Sequence, residues 1–284
     1  MKKSAFLPGL ILFTASHVAM AQERIFDVHV HLWEGETSLQ EYLQQAKSAG
    51  FNVDRIGAIH GGNHMARHGK LAETRAHNDE LLALAKAHAT LMPIATVHPY
   101  DGDAAKQELE RIAGLGARAI KLHPHTQGFD PSDPRVLSLC KRAGELGVVV
   151  LMDNANVVGG DSQALFNLAL RAPGTHFVFN HLGALDFRFW NILPLAHTAK
   201  GLMSDNIHFD LSATVVLVAD SPIEDEFVWT LRNVGIDNVL LGSDFPQLSL
   251  GKTLEALEKL DLTDEEKRKI RWKNAERIFS ATKK

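Results

Sequence analysis

The sequence contains a single cysteine, Cys140, among 284 residues. An internal disulfide is therefore excluded, and the fold must be held by apolar burial and hydrogen bonding. Cys140 falls in the helical pattern Val136-Leu137-Leu139-Cys140-Ala143 and reads as a small buried hydrophobe, not a nucleophile. Positive charge is not in surplus either: 30 Lys and Arg stand against 34 Asp and Glu, for a net charge of −4. Nucleic acid is an unsuitable partner for such a chain, because phosphate binding rests on clustered cations. The one basic run, over 267–273, is interleaved with Ile270 and Trp272 and reads as the solvated face of a terminal helix. A G-x-S-x-G elbow and an H-E-x-x-H helix are both missing, which removes the common serine-hydrolase and zinc-peptidase signatures. The first strand is not followed by a glycine-rich phosphate loop, so a doubly wound dinucleotide fold is only the runner-up. Gly61-Gly62 and Gly159-Gly160 read as tight turns. Without a Ser/Gly linker, charge block or low-complexity stretch, nothing marks a second domain.

What is present begins with an export signal. Lys2 and Lys3 precede an apolar stretch from Ala5 to Phe13, and Ala19 and Ala21 occupy an A-x-A cleavage site. The stretch is shorter than the ~20 residues of a membrane span. The reading is a leader over 1–21 and a mature domain over 22–284, exported to the periplasm or medium, with no stable membrane insertion after cleavage. Removing Lys2 and Lys3 and no acid takes the charge from −4 to −6.

In the mature chain, eight short apolar runs (25–32, 54–59, 91–97, 117–122, 148–153, 176–180, 207–211 and 238–241) alternate with stretches of helical period. The helices are expected over 39–49, 77–88, 104–115, 134–146, 162–171, 194–205 and 223–234, with a terminal pair at 254–260 and 264–280. Strand–helix alternation implies a parallel sheet buried on both faces. Eight repeats in about 260 residues fit closure into a single (β/α)8, or TIM, barrel.

Polar residues gather at the same end of every run. Asp27, His29 and His31 close strand one, His60 follows strand two, and His98 follows strand three. Lys121, His123 and His125 close strand four, and Asp153 and Asn154 follow strand five. His181 follows strand six, Asp210 and Ser212 lie at strand seven, and Asp244 follows strand eight. In a closed barrel these ends meet on one concave face, where barrel enzymes place their chemistry; core packing alone does not predict the pattern. His29-x-His31 is the sharpest local signal, because residues two apart on a strand share a face and can offer two imidazoles to one metal. With Asp244 and His181 at the same mouth, the set suits one divalent ion, zinc first and manganese as the alternative. Such an ion lowers the pKa of bound water from 15.7 to about 7. Asp244 is placed to ligate and accept a proton, and His181 to orient water or steady an oxyanion.

These motifs resemble the amidohydrolase superfamily, in particular the branch with aminocarboxymuconate-semialdehyde decarboxylase, aromatic-acid decarboxylases and lactone hydrolases. The resemblance is carried by Asp27-Val28-His29-Val30-His31, Lys121-Leu122-His123-Pro124, Asn180-His181-Leu182-Gly183 and Leu241-Gly242-Ser243-Asp244-Phe245-Pro246. It implies His29, His31 and Asp244 as metal ligands and His181 as the histidine acting on substrate or water. Where the family presents a strand-five histidine ligand, this chain has Asp153, which is entered as a replacement ligand; a metal-free mode stays open. The expected activity is hydrolysis of a lactone, amide or related carbonyl compound. A lyase acting on an unsaturated or aromatic acid, and a non-catalytic binding barrel, are the alternatives. Lys121, His123, His125, His60 and His98 are the expected contacts to a small-molecule substrate. The apolar loops Phe187-Arg188-Phe189-Trp190 and 215–219 await cover by substrate, by a second copy in a homo-oligomer, or by the neighbouring loop.

Overall fold

The computed structural model describes residues 24–60 and 65–280. The expected leader and the turn expected at Gly61-Gly62 fall outside the described residues. Eight parallel strands follow one another in order around the sheet. They are β1 (Phe26–His31), β2 (Arg55–Ile59), β3 (Leu91–Ala95), β4 (Ala119–Leu122), β5 (Val149–Met152), β6 (Phe177–Phe179), β7 (Ile207–Asp210) and β8 (Val239–Leu240). The ring closes from the end of β8 onto β1: Val28 N donates to Leu241 O at 2.9 Å, Asp244 N to His29 O at 2.8 Å, and His31 N to Phe245 O at 2.8 Å. The fold is thus a (β/α)8 barrel.

Between the strands run α1 (Glu36–Ser48), α2 (Leu71–Ala87), α3 (Asp103–Gly114), the single turn α4 (Pro124–Gln127), α5 (Pro134–Glu145), α6 (Asp161–Arg171) and α7 (Leu193–Thr198). After β7 come α8 (Thr214–Val218) and α9 (Glu224–Asn233); after β8 come α10 (Leu250–Lys259), α11 (Asp264–Arg268) and α12 (Asn274–Ser280). The helices begin where capping chemistry permits. Asp133 accepts from Arg135 N ahead of Pro134, and Thr263 and Glu266 form a reciprocal capping box. On α5 the buried positions are Val136, Leu139, Cys140 and Ala143, one stripe of a 3.6-residue helix. Burial pushes the Cys140 thiol up to about 12, so it is an inert core group.

The helix expected over 264–280 is unbroken across those residues but widens at its middle. A π-turn at Lys269–Lys273 joins α11 to α12. The basic run is solvated only in part: Arg268 and Lys273 are exposed and Lys269 half-buried, as expected. Lys267 and Arg271 are buried, with Lys267 Nζ donating to Glu258 O at 2.6 Å and Arg271 Nη1 to Glu258 Oε1 at 2.5 Å. Their aliphatic stems are covered while their charges meet a partner. Phe187, Trp190, Val215 and Val218 are fully buried, Phe187 against Phe227 and Trp190 against Phe179 and Phe209, whereas Leu217 is exposed.

Two apolar layers result. Most buried side chains lie between strands and helices. A second cluster fills the barrel: Phe26, Val28, Met92, Ile94, Leu151, Val178 and Leu240 meet Trp272, Ala275, Ile278 and Phe279. The last four come from the terminal segment, which plugs the end where the strands begin. The other end is left for polar side chains.

Candidate active site

A break in β1 decides which residues enter the barrel. Asp27 pairs with Ile56 and Val30 with Ala58, so β1 carries one residue more than β2 across that interval. Phe26 and Val28 belong to the inner cluster and Val30 to the outer one. Strict alternation would then send His29 and His31 outward. The bulge resets the phase, and both imidazoles turn into the barrel mouth. Asp27 pins this irregularity from outside the barrel. Its Oδ1 accepts from His29 N at 3.2 Å and Ser243 N at 2.9 Å, and its Oδ2 from the Tyr42 hydroxyl at 2.8 Å. Burial raises its carboxyl to about 6 despite these donors.

Beyond β6 the chain makes a left-handed turn, with φ of 63° at His181, 48° at Leu182, 83° at Gly183 and 48° at Ala184. Three of these carry a side chain, and left-handed backbone costs roughly 1–2 kcal/mol per such residue. The surroundings hold it: His181 N donates to Asp210 Oδ1 at 3.0 Å and Thr214 Oγ1 to His181 O at 2.5 Å. Asp244, with φ 62°, is a second residue of this kind at the mouth.

Asp210, at the end of β7 and wholly buried, organises both histidines. Its Oδ1 accepts from His181 N, from Ser212 N at 3.1 Å and from the Ser212 hydroxyl; its Oδ2 faces His29 Nδ1 at 3.2 Å and accepts from Asn180 Nδ2. The Ser212 hydroxyl has one proton and gives it to Asp210. The imidazole nitrogens beside its oxygen, His29 Nδ1 at 3.1 Å and His181 Nδ1 at 2.9 Å, are therefore donors. Both rings then turn Nε2 to the cavity. A buried carboxylate behind a histidine is the usual device for fixing a ligand tautomer.

His29 Nε2, His31 Nε2 and Asp244 Oδ1 form a triangle with edges of 3.2, 3.4 and 3.2 Å. Ligand atoms ~2.0–2.1 Å from one tetrahedral ion stand ~3.3–3.4 Å apart, so the donor set fits a divalent metal. His29, His181 and Asp244 also bring ligand atoms within 4.8 Å of one another. Burial lowers the pKa of His29, aided by the Lys121 charge, and lowers His31 to about 4, which keeps both rings neutral and their lone pairs available. Burial opposes ionisation of Asp244, but the histidines around it, among them His181 with its raised pKa, lower the carboxyl to about 2.

Asp153 lies off this triangle. Its Oδ1 is 3.2 Å from His181 Nε2 and 3.7 Å from His123 Nε2. Burial works against the charge of His181, yet Asp153, Asp210 and Asp244 raise its pKa above the ordinary value. Lys121 is 1% exposed, donates to Asn180 Oδ1, and lies 3.4 Å from His29 Nε2; burial lowers its pKa. A cavity of about 200 Å³ collects His29, His31, Lys121, His123, Asp153, His181 and Asp244, with Trp33, Met65, Thr126 and Gln247 completing its wall.

Three histidines expected at the substrate lie elsewhere. His98 uses both ring nitrogens structurally, Nε2 against Gln127 O at 2.8 Å and Nδ1 accepting from Tyr100 N at 3.1 Å. His125 points outward from α4 to Asp161 at 2.9 Å. His60 lines a separate cleft with Trp33, Glu36 and Glu80. The supporting roles of Asp210, Ser212 and Asn180 and the wall residues Trp33, Met65, Thr126 and Gln247 are what sequence reasoning missed. Asp210 and Ser212 gave a signal as polar groups at a strand end, but their roles as partners of two histidines did not follow from position.

A family model described as Amidohydrolase matches residues 26–281. No match is found among curated proteins. Solved structures of the same fold include 5-carboxyvanillate decarboxylase from Sphingomonas paucimobilis, with TM-score 0.67 and 19% identity over 85% of this chain and 83% of that one. An uncharacterized TIM-barrel protein from Bordetella bronchiseptica gives TM-score 0.66 and 16% identity over 90% and 98% of the two chains. A dihydroxybenzoic acid decarboxylase from Polaromonas, solved with bound manganese and 2-nitroresorcinol, gives 0.64 and 14% over 93% and 98%.

Proposed function

The chain belongs to the amidohydrolase family, and from that premise we propose that it is a metal-dependent hydrolase of a small lactone, amide or related carbonyl compound bearing an acidic group. The observation that carries the reading is the buried triangle of two imidazole nitrogens and one carboxylate oxygen with edges of 3.2–3.4 Å. His29, His31 and Asp244 would hold the ion, zinc first, with manganese supported by its presence in the Polaromonas enzyme. Bound there, a divalent ion supplies Lewis acidity and makes water a nucleophile near neutral pH.

The rest falls to the chain's own groups. His181, held by Asp210 and Ser212 on one side and Asp153 on the other, is placed to move a proton at Nε2. Lys121 and His123 face an anionic substituent from the cavity floor, and Trp33 and Met65 supply an apolar wall. A cavity of about 200 Å³ suits a molecule of about one ring and excludes a polymer chain from the buried part of the site.

Decarboxylation of an aromatic or unsaturated acid is the second reading. It is favoured by two of the solved relatives being decarboxylases and by the buried Lys121 cation. We also propose that residues 1–21 are removed on export; N-terminal sequencing of secreted or periplasmic protein tests this. For the activity, residues 22–284 would be purified without chelator, analysed for metal, and assayed for opening of lactones, esters and amides and for carbon dioxide release from aromatic acids. Carbonyl hydrolysis that a chelator abolishes supports the first reading, and carbon dioxide release supports the second. A metal-loaded protein inert on both panels points to a binding barrel.

A further inference from the structure

Asp153 is the one carboxylate in the cavity whose part in the metal set the geometry speaks against. The ligand atoms of His29, His31 and Asp244 stand 3.2–3.4 Å apart, whereas Asp153 Oδ1 makes its short contact with His181 Nε2, at 3.2 Å, and a longer one of 3.7 Å with His123 Nε2. The opposite nitrogen of His181 is already committed, with Nδ1 donating to Ser212 Oγ at 2.9 Å and Ser212 O at 3.1 Å. The remaining ring nitrogen therefore points at the Asp153 carboxylate, whose backbone is tied to β4 by Asp153 N donating to Leu122 O at 3.1 Å.

Resting on the metal-dependent reading above, we propose that Asp153 is a positioning residue for His181 and takes no part in holding the metal. His29, His31 and Asp244 then form a three-residue ligand set, and the remaining coordination positions face the cavity. Beside them, Asp153 holds the plane of the His181 ring and the direction of its Nε2, clamped from one side by the β5 end and from the other by the β7 end. A metal ligand in place of Asp153 would leave Nε2 of His181 without this anchor. The side chain on its left-handed turn would then be fixed from one side only.

The test compares residues 22–284 with the variants His31→Ala, Asp153→Asn and Asp153→Glu. Affinities for Zn²⁺ and for Mn²⁺ are measured by competition with a chromophoric chelator, and the imidazole N–H proton resonance of His181 is followed by NMR. Thermal melts confirm that each variant folds. The proposal expects His31→Ala to lose metal affinity by 100-fold or more, about the scale of losing a ligand and more than an outer partner costs. It expects Asp153→Asn to stay within about threefold of the parent in affinity, while the His181 Nε2 proton resonance moves upfield or is lost to exchange. Asp153→Glu should restore part of that signal. On any substrate found, Asp153→Asn should lower kcat by roughly 10–100-fold with KM changed little. A tenfold or greater loss of metal affinity in Asp153→Asn, or an unmoved His181 resonance, overturns the assignment. If the parent binds neither metal, the metal-dependent reading fails, and the His181 resonance still decides whether Asp153 positions that ring.

Discussion

Replacing Asp210 by Asn changes one oxygen to an NH₂ group and leaves the side chain's shape intact, so its effect can be followed atom by atom. The carboxylate faces donors on both sides: His181 N, Ser212 N and the Ser212 hydroxyl at Oδ1, and His29 Nδ1 and Asn180 Nδ2 at Oδ2. The amide can accept on one side only. Its less costly orientation points NH₂ at His29 and Asn180, leaving two buried donors without this acceptor. His29 Nδ1 keeps Ser212 Oγ at 3.1 Å, so the unsatisfied donor is Asn180 Nδ2, a loss of roughly 1–3 kcal/mol against the 5–15 kcal/mol typical of a domain. Asn180 does not escape by turning its amide, because its Oδ1 holds Lys121 Nζ. His29 escapes by moving its proton to Nε2, but that fills the lone pair aimed at the metal position. Metal affinity should therefore fall by about 10–100-fold even in molecules that remain folded. Denaturant unfolding in excess chelator reads the first effect, and a competition titration on folded protein reads the second. An Asp210→Asn protein within about 0.5 kcal/mol of the parent in stability, and equal to it in metal affinity, would refute the claim that Asp210 sets the His29 tautomer.

Other perturbations test neighbouring parts of the argument. At Gly242 a Cβ would come 3.0 Å from His29 Cβ and 3.1 Å from Asp210 Cγ; Gly242→Ala should cost about 1–3 kcal/mol by overpacking and weaken metal binding, and an unchanged melt and affinity would contradict that crowding. Metal at a hundred times its Kd should add about 2.7 kcal/mol of stability, raising Tm by roughly 5–10 °C in the parent, with the His29→Ala, His31→Ala double variant showing none of the rise. Burial, with the charges of His176 and Arg277, lowers His208 from 6.5 to about 3. The unfolded chain then binds the proton more readily, so stability is full above about pH 6.5 and falls as pH drops toward 3, by at most roughly 4–5 kcal/mol from this group. A His208→Asn variant should flatten that part of the stability–pH profile measured by urea unfolding; an identical slope would remove His208 as its cause.

Much of the barrel was legible because both of its periods are local. Short β-branched runs and 3.6-residue stripes can be read residue by residue, and all eight expected strands overlap those observed. The helices that escaped were the short ones. α4 and α8 are too short for periodicity to register, and Asn180–Ile192 is built partly from left-handed residues that no apolar pattern encodes. The basic run misled in part for a related reason: Arg268 and Lys273 are exposed as their charge suggests, yet Glu258, contributed by another helix, makes burial of Lys267 and Arg271 tolerable.

At the site, the sequence by itself determined that polar groups would collect where the strands end, since a closed parallel barrel leaves one mouth for them. It also put two histidines two apart on one strand. Which way those histidines face was decided by a one-residue bulge in β1, and a bulge depends on hydrogen bonds with β2 and on the donors gathered around Asp27, of which only His29 N is local. The same holds for the separation of His98 and His125 from the cavity and for the pairing of Asp153 with His181. Strand-end position fixes the neighbourhood of a side chain to within a few ångströms; ligation and proton transfer are settled by tenths of an ångström, which only the packed barrel supplies.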